Sequence, residues 1–510
     1  MGRTQAIFSQ TFSKEHTTNH EGFSAFVRPW REQYIQMLLT NTMNNTFYAT
    51  QQDLVDGARE MHRNAADEDP FFMAKALVYA RTEGFMRLQP IYGLAVLSEA
   101  SPSLFVQAFP SIIRIVADLA DFFTILESMG RGQGGRAVKR MAADFLNRSD
   151  EYAAIKYGGS GRGFSFGDLV RVVHPKPKDA KQETLFRYAR GGYKSAEEIP
   201  EDLSAACAIE RLANVDTVEQ VQLIRKHRLA HNVVSGKVGK MTREIWEALL
   251  PDMPLFALLR HLATFERHQI VDDWRDFLEK RITDGPAIRR AKILPFRFLK
   301  AHGEIKTPWL RDALKTAVEN SIGALPDMPG KTGILLDVSG SMAGEYLQTG
   351  GVLAFALFKK TNGETQFLTF NDRLHDPRPS LTDSIIGQAE RLKGTDGTDT
   401  GIGIRYWTKE KEHLDNIIII TDEQQNTGTP FTEALKEYRQ SVNPETVAFV
   451  IDVAPYKGRM IAPTDEKTYY AYGWSDAVLR YVACTLSGYS NIVGYIEAGW
   501  PAVGKPAAEE

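Results

Sequence analysis

The chain has 510 residues, of which 43% are hydrophobic and 25% are charged, and its formal net charge is −3. This composition is too apolar for a disordered protein, and the length favours at least two domains. Two cysteines exclude a disulfide-stabilised secreted scaffold, so we expect a reducing, cytoplasmic location. The sequence has neither an N-terminal secretion signal nor an apolar stretch of about 18 residues, so we expect no membrane association.

Apolar residues recur at helical spacing from about Arg28 to Ile322, as Phe72, Ala76 and Ala80 do. Breaks such as Asp69–Pro70 place a capping residue and a proline where a new helix can begin. No single repeat period is visible, so the pattern predicts an irregular α-solenoid of stacked helix pairs.

Short β-rich segments alternate with helical ones after the Pro- and Gly-rich stretch at 323–330. The predicted strands are 333–338, 366–370, 416–420, 446–451 and 491–496. The uninterrupted run Ile417–Ile420 is typical of the buried centre of a parallel sheet, so we predict a doubly wound α/β domain. The predicted parts of the chain are an N-terminal extension (1–25), a helical-repeat region (26–325) and the α/β domain (326–510).

The segment from Arg131 to Lys194 is strongly basic. It contains 14 Lys and Arg against 6 Asp and Glu, a net charge of +8, which leaves −11 for the remainder of the chain. Gly and aromatic residues are interleaved with the cations, as in the run from Tyr188 to Tyr193. Because Gly allows close approach of a phosphate and Arg or Tyr can stack on bases, the segment favours RNA or DNA binding over a merely solvated helix face.

Two carboxylates and three hydroxyls follow the predicted strands at positions where ligands bind in open α/β sheets. They are Asp337, Ser339, Ser341, Thr398 and Asp422. An all-oxygen set of this kind is suited to Mg²⁺ or Mn²⁺.

Sequence motifs of common enzyme classes are absent. The run Gly330-Lys331-Thr332 lacks the first glycine of a phosphate-binding loop, where Leu325 stands, and a strand is predicted after it. The sequence contains no Cys-x-x-Cys, no His-Glu-x-x-His and no Gly-x-Ser-x-Gly elbow with a plausible triad. We therefore expect no enzymatic activity.

The stretch Asp337-Val338-Ser339-Gly340-Ser341 resembles the metal-ion-dependent adhesion site of von Willebrand factor A (vWA) domains. The resemblance implies that Ser339, Ser341 and Thr398 ligate the ion directly. Asp337 and Asp422 would act directly or through water. One coordination position would stay open for an acidic group of a protein partner.

The segments 135–144, 166–177 and 253–260 resemble the TROVE module of Ro ribonucleoprotein autoantigens, and a vWA domain follows that module in Ro proteins. The resemblance, to a bacterial or phage type, implies HEAT-like helices closed into a ring (a toroid) by the α/β domain of a monomer. It further implies Y-like small noncoding RNA on the outer surface and single-stranded 3′ ends of misfolded noncoding RNA in the central hole. Through such an RNA, bacterial relatives can be tethered to polynucleotide phosphorylase.

The resemblance also implies which residues contact RNA. His174 matches a family histidine in the Asp-Leu-x-Arg-x-x-His stretch, and Arg162 matches a family basic residue only if one residue has been inserted. The predicted RNA-binding residues are Arg136, Lys139, Arg140, Lys156, Arg162, Arg171, His174 and Lys176.

These observations predict an RNA-binding ring protein that acts in RNA quality control or processing. Two other classes stay open at this point. One is a vWA protein–protein interaction module on a helical scaffold, partnering another enzyme or ATPase without specific RNA. The other is a hydrolase that uses the metal, although one ion with mostly neutral ligands makes a poor active site.

Overall fold

A helical region precedes an α/β domain along the chain. The structure is a computed structural model that describes residues 16–41, 51–159, 163–291, 293, 295–322, 328–361, 365–454, 456, 458–461, 465, 467–473, 478, 481–482, 485 and 492–499. The last helix of the first region ends at Ile322 and the first strand of the central sheet begins at Thr332. The domain limits proposed from the sequence stay predictions.

The first region consists of helices joined mostly by short turns. They are α1 (Trp30–Thr40), α2 (Gln51–Glu68), α3 (Pro70–Thr82), α4 (Leu88–Ala100), α5 (Pro102–Ile112), α6 (Val116–Ser128), α7 (Arg136–Arg148), α8 (Glu151–Lys156), α9 (Phe166–Val173), α10 (Ala180–Ala189), α11 (Ser204–Arg211), α12 (Thr217–His227), α13 (His231–Lys237), α14 (Arg243–Leu249), α15 (Leu255–Arg267), α16 (Arg275–Thr283), α17 (Gly285–Arg290), α18 (Pro295–Glu304) and α19 (Pro308–Ile322). Each of these helices packs mainly against helices close to it in the chain, as in a solenoid.

The helices begin where the sequence supplies caps. The Asp69 carboxylate accepts a hydrogen bond from the Phe72 N–H (2.9 Å), and Pro70 is the first residue of α3. Phe72, Ala76 and Ala80 are buried on one face of that helix, as their spacing predicts. Within the described ranges, no helix combines the length and the apolarity needed to cross a bilayer.

The second region is built on a six-stranded sheet. Its strands are β3 (Thr332–Asp337), β4 (Thr365–Phe370), β5 (Leu374–His375), β6 (Asn416–Thr421), β7 (Val447–Asp452) and β9 (Thr468–Tyr472). The strand order is β5-β4-β3-β6-β7-β9, and only β5 runs antiparallel to its neighbour. The associated helices are α20 (Glu345–Lys360), α21 (Ile385–Ala389), α22 (Ile402–Lys409), α23 (Phe431–Ser441) and α24 (Ile492–Ala498). The predicted doubly wound α/β fold is therefore confirmed.

One predicted strand is wrong. Residues 491–496 were expected to be extended, but α24 occupies 492–498, with Ile492 and Ile496 buried one helical turn apart. A short apolar run does not distinguish a strand from a buried helix. The outer strand on this side of the sheet is β9 instead.

Both ends of the helical region contact the α/β domain. At the start, β1 (His16–Thr18) and β2 (Ser24–Val27) pair with β8 (Gly458–Arg459), and α1 contacts β9 and α24. At the end, α18 and α19 contact α20 and α21. The Glu319 carboxylate accepts hydrogen bonds from Lys359 Nζ (3.0 Å) and the Ile385 N–H (2.9 Å). The helical region thus begins and ends on one domain, which closes the chain into a ring of contacts.

A buried histidine joins the first helices of this ring. His62 of α2 is 0% exposed, and its Nδ1 and Nε2 atoms lie 2.9 Å from the Tyr34 hydroxyl and 3.0 Å from Gln89 Oε1. Burial lowers the pKa of His62 to about 4, against the opposing effect of the Gln89 hydrogen bond. The folded protein therefore keeps the His62 imidazole neutral.

Acidification should destabilise the fold through His62. Between pH 6.5 and 4 the unfolded chain binds a proton there and the folded chain does not, so the free energy of unfolding decreases as pH falls, by on the order of 3 kcal/mol. Urea unfolding at pH 7 and pH 4.5 should show a smaller decrease for His62→Gln than for wild type. The same change at the exposed His413 is the control, and equal decreases in all three proteins would contradict the assignment.

Candidate metal centre and nucleic-acid interface

Four of the five predicted metal ligands lie at the carboxyl ends of β3 and β6, where the chain order of the strands reverses, and Thr398 lies in a separate loop. Asp337 is the last residue of β3, and Ser341 lies in the 3₁₀ turn Gly340–Met342. Asp337 Oδ1 accepts a hydrogen bond from the Ser339 N–H (2.9 Å), and the hydroxyls of Ser339 and Ser341 are 3.3 Å apart. The motif is therefore one compact turn.

Thr398 reaches this turn through backbone contacts of its loop. The Thr395 N–H donates to the Val338 carbonyl (2.9 Å), which ties the loop to β3. The Thr398 N–H donates to Asn426 Oδ1 (2.7 Å), and its carbonyl accepts from the Asn426 N–H (3.0 Å). Asn426 belongs to the Asp422 loop (residues 422–426), so the loops that carry the five predicted ligands are bonded to one another.

The two predicted carboxylate ligands are buried and lack a basic side-chain partner among the described residues. Asp337 and Asp422 are 0% and 1% exposed, and neither forms an ion pair within the part of the chain that the structure describes. Burial, and then the charge of Asp337, raise the pKa of Asp422; burial likewise raises the pKa of Asp337, against hydrogen bonds from Ser339 and Thr421. Two like charges in a low-dielectric pocket destabilise each other unless a cation or a proton neutralises them.

An unpartnered atom marks where a cation fits. Asp422 Oδ2 is buried and has no hydrogen-bond partner among the described residues, whereas its Oδ1 accepts from the Gln424 N–H (3.2 Å). A hydrogen bond from the Ser341 hydroxyl to the Asp422 carboxylate opposes the rise of its pKa, so a second predicted ligand lies beside it. The neighbouring Asp399 differs, because its Oδ2 pairs with Arg405 at 2.6 Å. No cluster of three or more His, Cys, Asp or Glu side chains suited to a metal occurs in the described ranges. The candidate centre therefore consists of two carboxylates and neighbouring hydroxyls, which fit a hard divalent ion.

Three predicted RNA-binding residues lie on one helix of the basic segment. Arg136 and Arg140 of α7 are exposed and Lys139 is half-buried, while Val138 and Leu146 on the other face belong to the core. None of the three basic side chains forms an ion pair with a described residue. Their charge is therefore available to an anion.

The end of α9 adds a second group. His174 is exposed in a left-handed conformation (φ 51°) directly after the helix. Lys176 is exposed, and its carbonyl accepts a hydrogen bond from Asn147 Nδ2 of α7 (2.9 Å). Arg171 differs from the others, because it bonds Asp168 Oδ1 and the Arg190 carbonyl, each at 2.8 Å. The exposed ridge thus comprises Arg136, Lys139, Arg140, His174 and Lys176, and Arg171 mainly supports it.

Lys156 lies in a groove of about 1000 Å³, apart from this ridge. Its Nζ is 5.3 Å from the Tyr152 ring centroid and 5.6 Å from that of Tyr157, and burial lowers its pKa. The polar lining of the groove further includes Tyr188, Tyr193, Lys194, Arg211, Asn232 and Lys237. Arg162 lies outside the described residues.

Some groove residues were missed from the sequence. Arg211 and Lys237 lie beyond the end of the basic segment at Lys194, and no local sequence pattern connects them to Lys156. They also form ion pairs, with Glu219 (2.7 Å) and Glu210 (2.6 Å) respectively, which reduces their charge toward a ligand.

Comparison with known proteins finds a match in each of the two regions. The family model described as "TROVE domain" matches residues 237–325, and the model described as "Ro60 vWA domain" matches residues 331–483. The two matches follow one another in the order that the resemblance to Ro proteins implies. The resemblance recognised from the sequence is confirmed.

Two relatives are similar to this chain over much of its length, and both are described as "RNA-binding protein RO60". The Deinococcus radiodurans protein is 22% identical over 475 residues, covering 85% of this chain and 88% of that protein. The Caenorhabditis elegans protein is 25% identical over 390 residues, covering 63% of this chain but only 60% of its own length. The crystal structure of the D. radiodurans RO (RSR) protein matches the fold with a TM-score of 0.64 at 19% identity, covering 90% of this chain and all of that one.

The matched part of the TROVE domain begins at residue 237, after the basic ridge and most of the groove. The match to the vWA domain, in contrast, includes all five predicted metal ligands. The individual RNA-binding and metal-binding residues stay predictions.

The buried charge of Asp422 leads to a prediction about the stability of the folded protein. Asp422→Asn should raise the free energy of unfolding in EDTA at pH 8 by about 1 to 3 kcal/mol, because it removes a buried charge and keeps an oxygen that can accept from the Gln424 N–H. Asp399→Asn is the matched control and should destabilise, since it breaks the ion pair with Arg405. A decrease of equal size in both variants would contradict the charge arrangement.

Proposed function

We propose that this chain is an RNA-binding protein of the Ro type without enzymatic activity of its own. The observation that carries the proposal is the exposed, unpaired basic ridge on α7 and after α9. The names of the two Ro60 relatives support it.

The chemistry of the ridge suits RNA of varied sequence. Lys and Arg side chains bind phosphates, which every RNA presents, and their binding releases counterions. In the nearby groove Tyr188 and Tyr193 offer rings on which unpaired bases can stack, and the flanking Gly191 leaves room for the backbone of a ligand. Sequence-tolerant contacts of this kind fit a protein that handles many different structured RNAs.

The finer parts of the proposal rest on the family resemblance. Y-like small noncoding RNA would bind the ridge on the outer surface, and single-stranded 3′ ends of misfolded RNA would enter the hole of the ring. A role in RNA quality control follows, with polynucleotide phosphorylase or another exoribonuclease reached through the RNA. These partners stay predictions.

Replacing Lys139, Arg140 and His174 together by Ala should weaken binding of a structured small RNA by at least about tenfold, because phosphate contacts are lost. The slope of log K against log salt should also become shallower, by somewhat less than about 1 per lost contact. Gel-shift titrations at several salt concentrations measure both quantities.

The control for this variant changes three exposed basic residues of the vWA domain, Lys409, Lys436 and His413, to Ala. It should leave the affinity and the salt slope unchanged. If both triple variants bind RNA as wild type does while remaining folded, the ridge is not the RNA surface.

We also propose that the vWA domain binds Mg²⁺ or Mn²⁺ through Asp337, Ser339, Ser341, Thr398 and Asp422. The buried, unpartnered Asp422 Oδ2 and the two carboxylates without a cation support this site. A bound ion would neutralise the carboxylates and offer one coordination position to an acidic group of a protein partner. That partner would dock on the vWA domain while RNA occupies the helical ring.

Mn²⁺ should raise the unfolding midpoint of the wild-type protein by several degrees, since an ion at about 100 times its Kd adds about 2.7 kcal/mol. Asp337→Ala should lose this increase, whereas Asp383→Ala, at an exposed residue of the same domain, should keep it. RNA affinity should not change in either variant. An equal midpoint shift in all three proteins would show that the five residues do not bind the ion.

A further inference from the structure

The N-terminal segment of the chain contacts the Asp422 loop directly. Asn19 Nδ2 donates a hydrogen bond to the Gln425 carbonyl (2.7 Å), and the His20 N–H donates to Gln424 Oε1 (3.0 Å). The Arg28 guanidinium, at the end of the same segment, pairs with the Glu423 carboxylate. Residues 19–28, the closing segment, therefore hold three consecutive residues of a loop that carries a predicted metal ligand.

Glu423 has an unusual backbone conformation next to that ligand. Its φ angle is +61°, in the left-handed region that residues other than glycine rarely adopt. The side chain is held by Arg28 and also accepts hydrogen bonds from the Met460 N–H (2.8 Å) and the Tyr470 hydroxyl (3.0 Å). These contacts keep Glu423 in place, and the position of the preceding Asp422 is fixed with it.

A second path connects Glu423 to the other carboxylate of the centre. The Glu423 N–H donates to the Thr421 hydroxyl (3.0 Å), which donates to Asp337 Oδ2 (2.6 Å). Asp422 is thus adjacent to the residue that Arg28 holds, and Asp337 is linked to that residue through Thr421.

The same arginine anchors the beginning of the ring. Arg28 is 1% exposed, and it donates hydrogen bonds to Asp452 Oδ2 (2.8 Å) and to the Tyr472 hydroxyl (3.0 Å). Gln36 of α1 donates to the same Asp452 oxygen (2.6 Å). The contact that closes the ring and the contact that orients Glu423 are therefore one cluster.

We propose that Arg28 and Asn19 are positioning residues for the metal centre, so that ion binding is coupled to the seating of the closing segment. The inference rests on the metal site proposed above and adds its regulation. Coupling of binding free energies is reciprocal. The ion, by fixing Asp422, therefore stabilises the seating of the closing segment, and a chain whose closing segment is unseated binds the ion more weakly.

Calorimetric titration of Mn²⁺ into the full-length protein tests the coupling. Arg28→Lys keeps the buried charge but loses the forked geometry that spans Glu423 and Asp452. Asn19→Ala removes one hydrogen bond to the Asp422 loop. It is the second variant in case Arg28→Lys does not fold. Each should weaken Mn²⁺ binding by about tenfold, within the usual range of coupling between sites.

Glu319→Ala is the matched control, because it loosens the other contact between the ring and the vWA domain, at Lys359 and Ile385. It should lower stability and leave Mn²⁺ affinity unchanged, which separates positioning from general destabilisation. In wild type, Mn²⁺ should also slow amide hydrogen exchange over residues 24–36, and this effect should be absent from Asp337→Ala.

The outcomes separate the two proposals. Absence of Mn²⁺ binding to wild type would overturn the metal site and the coupling with it. Binding to wild type that Arg28→Lys and Asn19→Ala leave unchanged, or that Glu319→Ala weakens equally, would overturn only the coupling.

Discussion

The Arg28 guanidinium, buried between the carboxylates of Glu423 and Asp452, is the contact on which the closed arrangement of the chain depends. A buried charge is costly unless charged and hydrogen-bonding partners surround it, and removing one partner leaves the others uncompensated. Here Arg28 lies near the beginning of the sequence and its two carboxylate partners lie near the end, where Tyr472 adds a hydroxyl. The cluster therefore forms only when the start of the helical region lies on the carboxyl edge of the sheet.

The same edge of the sheet has buried carboxylates of two kinds. Around Arg28 the carboxylates are paired, and one residue away Asp422 has an oxygen without a partner. Since the chain order of the strands reverses between β3 and β6, this edge of the sheet is where open α/β sheets bind ligands. An unpartnered carboxylate oxygen beside ion-paired carboxylates supports the ion site proposed above.

The surface proposed to bind RNA keeps core and charge on opposite faces of its helices. The helices of the basic segment bury one face and leave Arg136 and Arg140 in solvent, so the core and the charge do not compete. Where a cation serves the fold, as Arg171 does with Asp168, it is tied to neighbouring backbone and side chains. A helical ring supplies a long surface of this kind without a deep, sequence-reading pocket.

Sequence patterns alone predict the local elements and name the candidate ligands. The run Ile417–Ile420 indicates a central strand, and the spacing from Asp337 to Ser341 indicates the turn proposed to bind the metal, because both signals lie within a few residues. Only the tertiary structure decided that 492–498 is a helix rather than a strand, that Arg28 joins the ring to the Asp422 loop, and that Lys156 lies in a groove apart from the ridge. The partners that decide these features are distant in the chain, up to 444 positions for Arg28 and Tyr472, and local patterns do not encode such contacts.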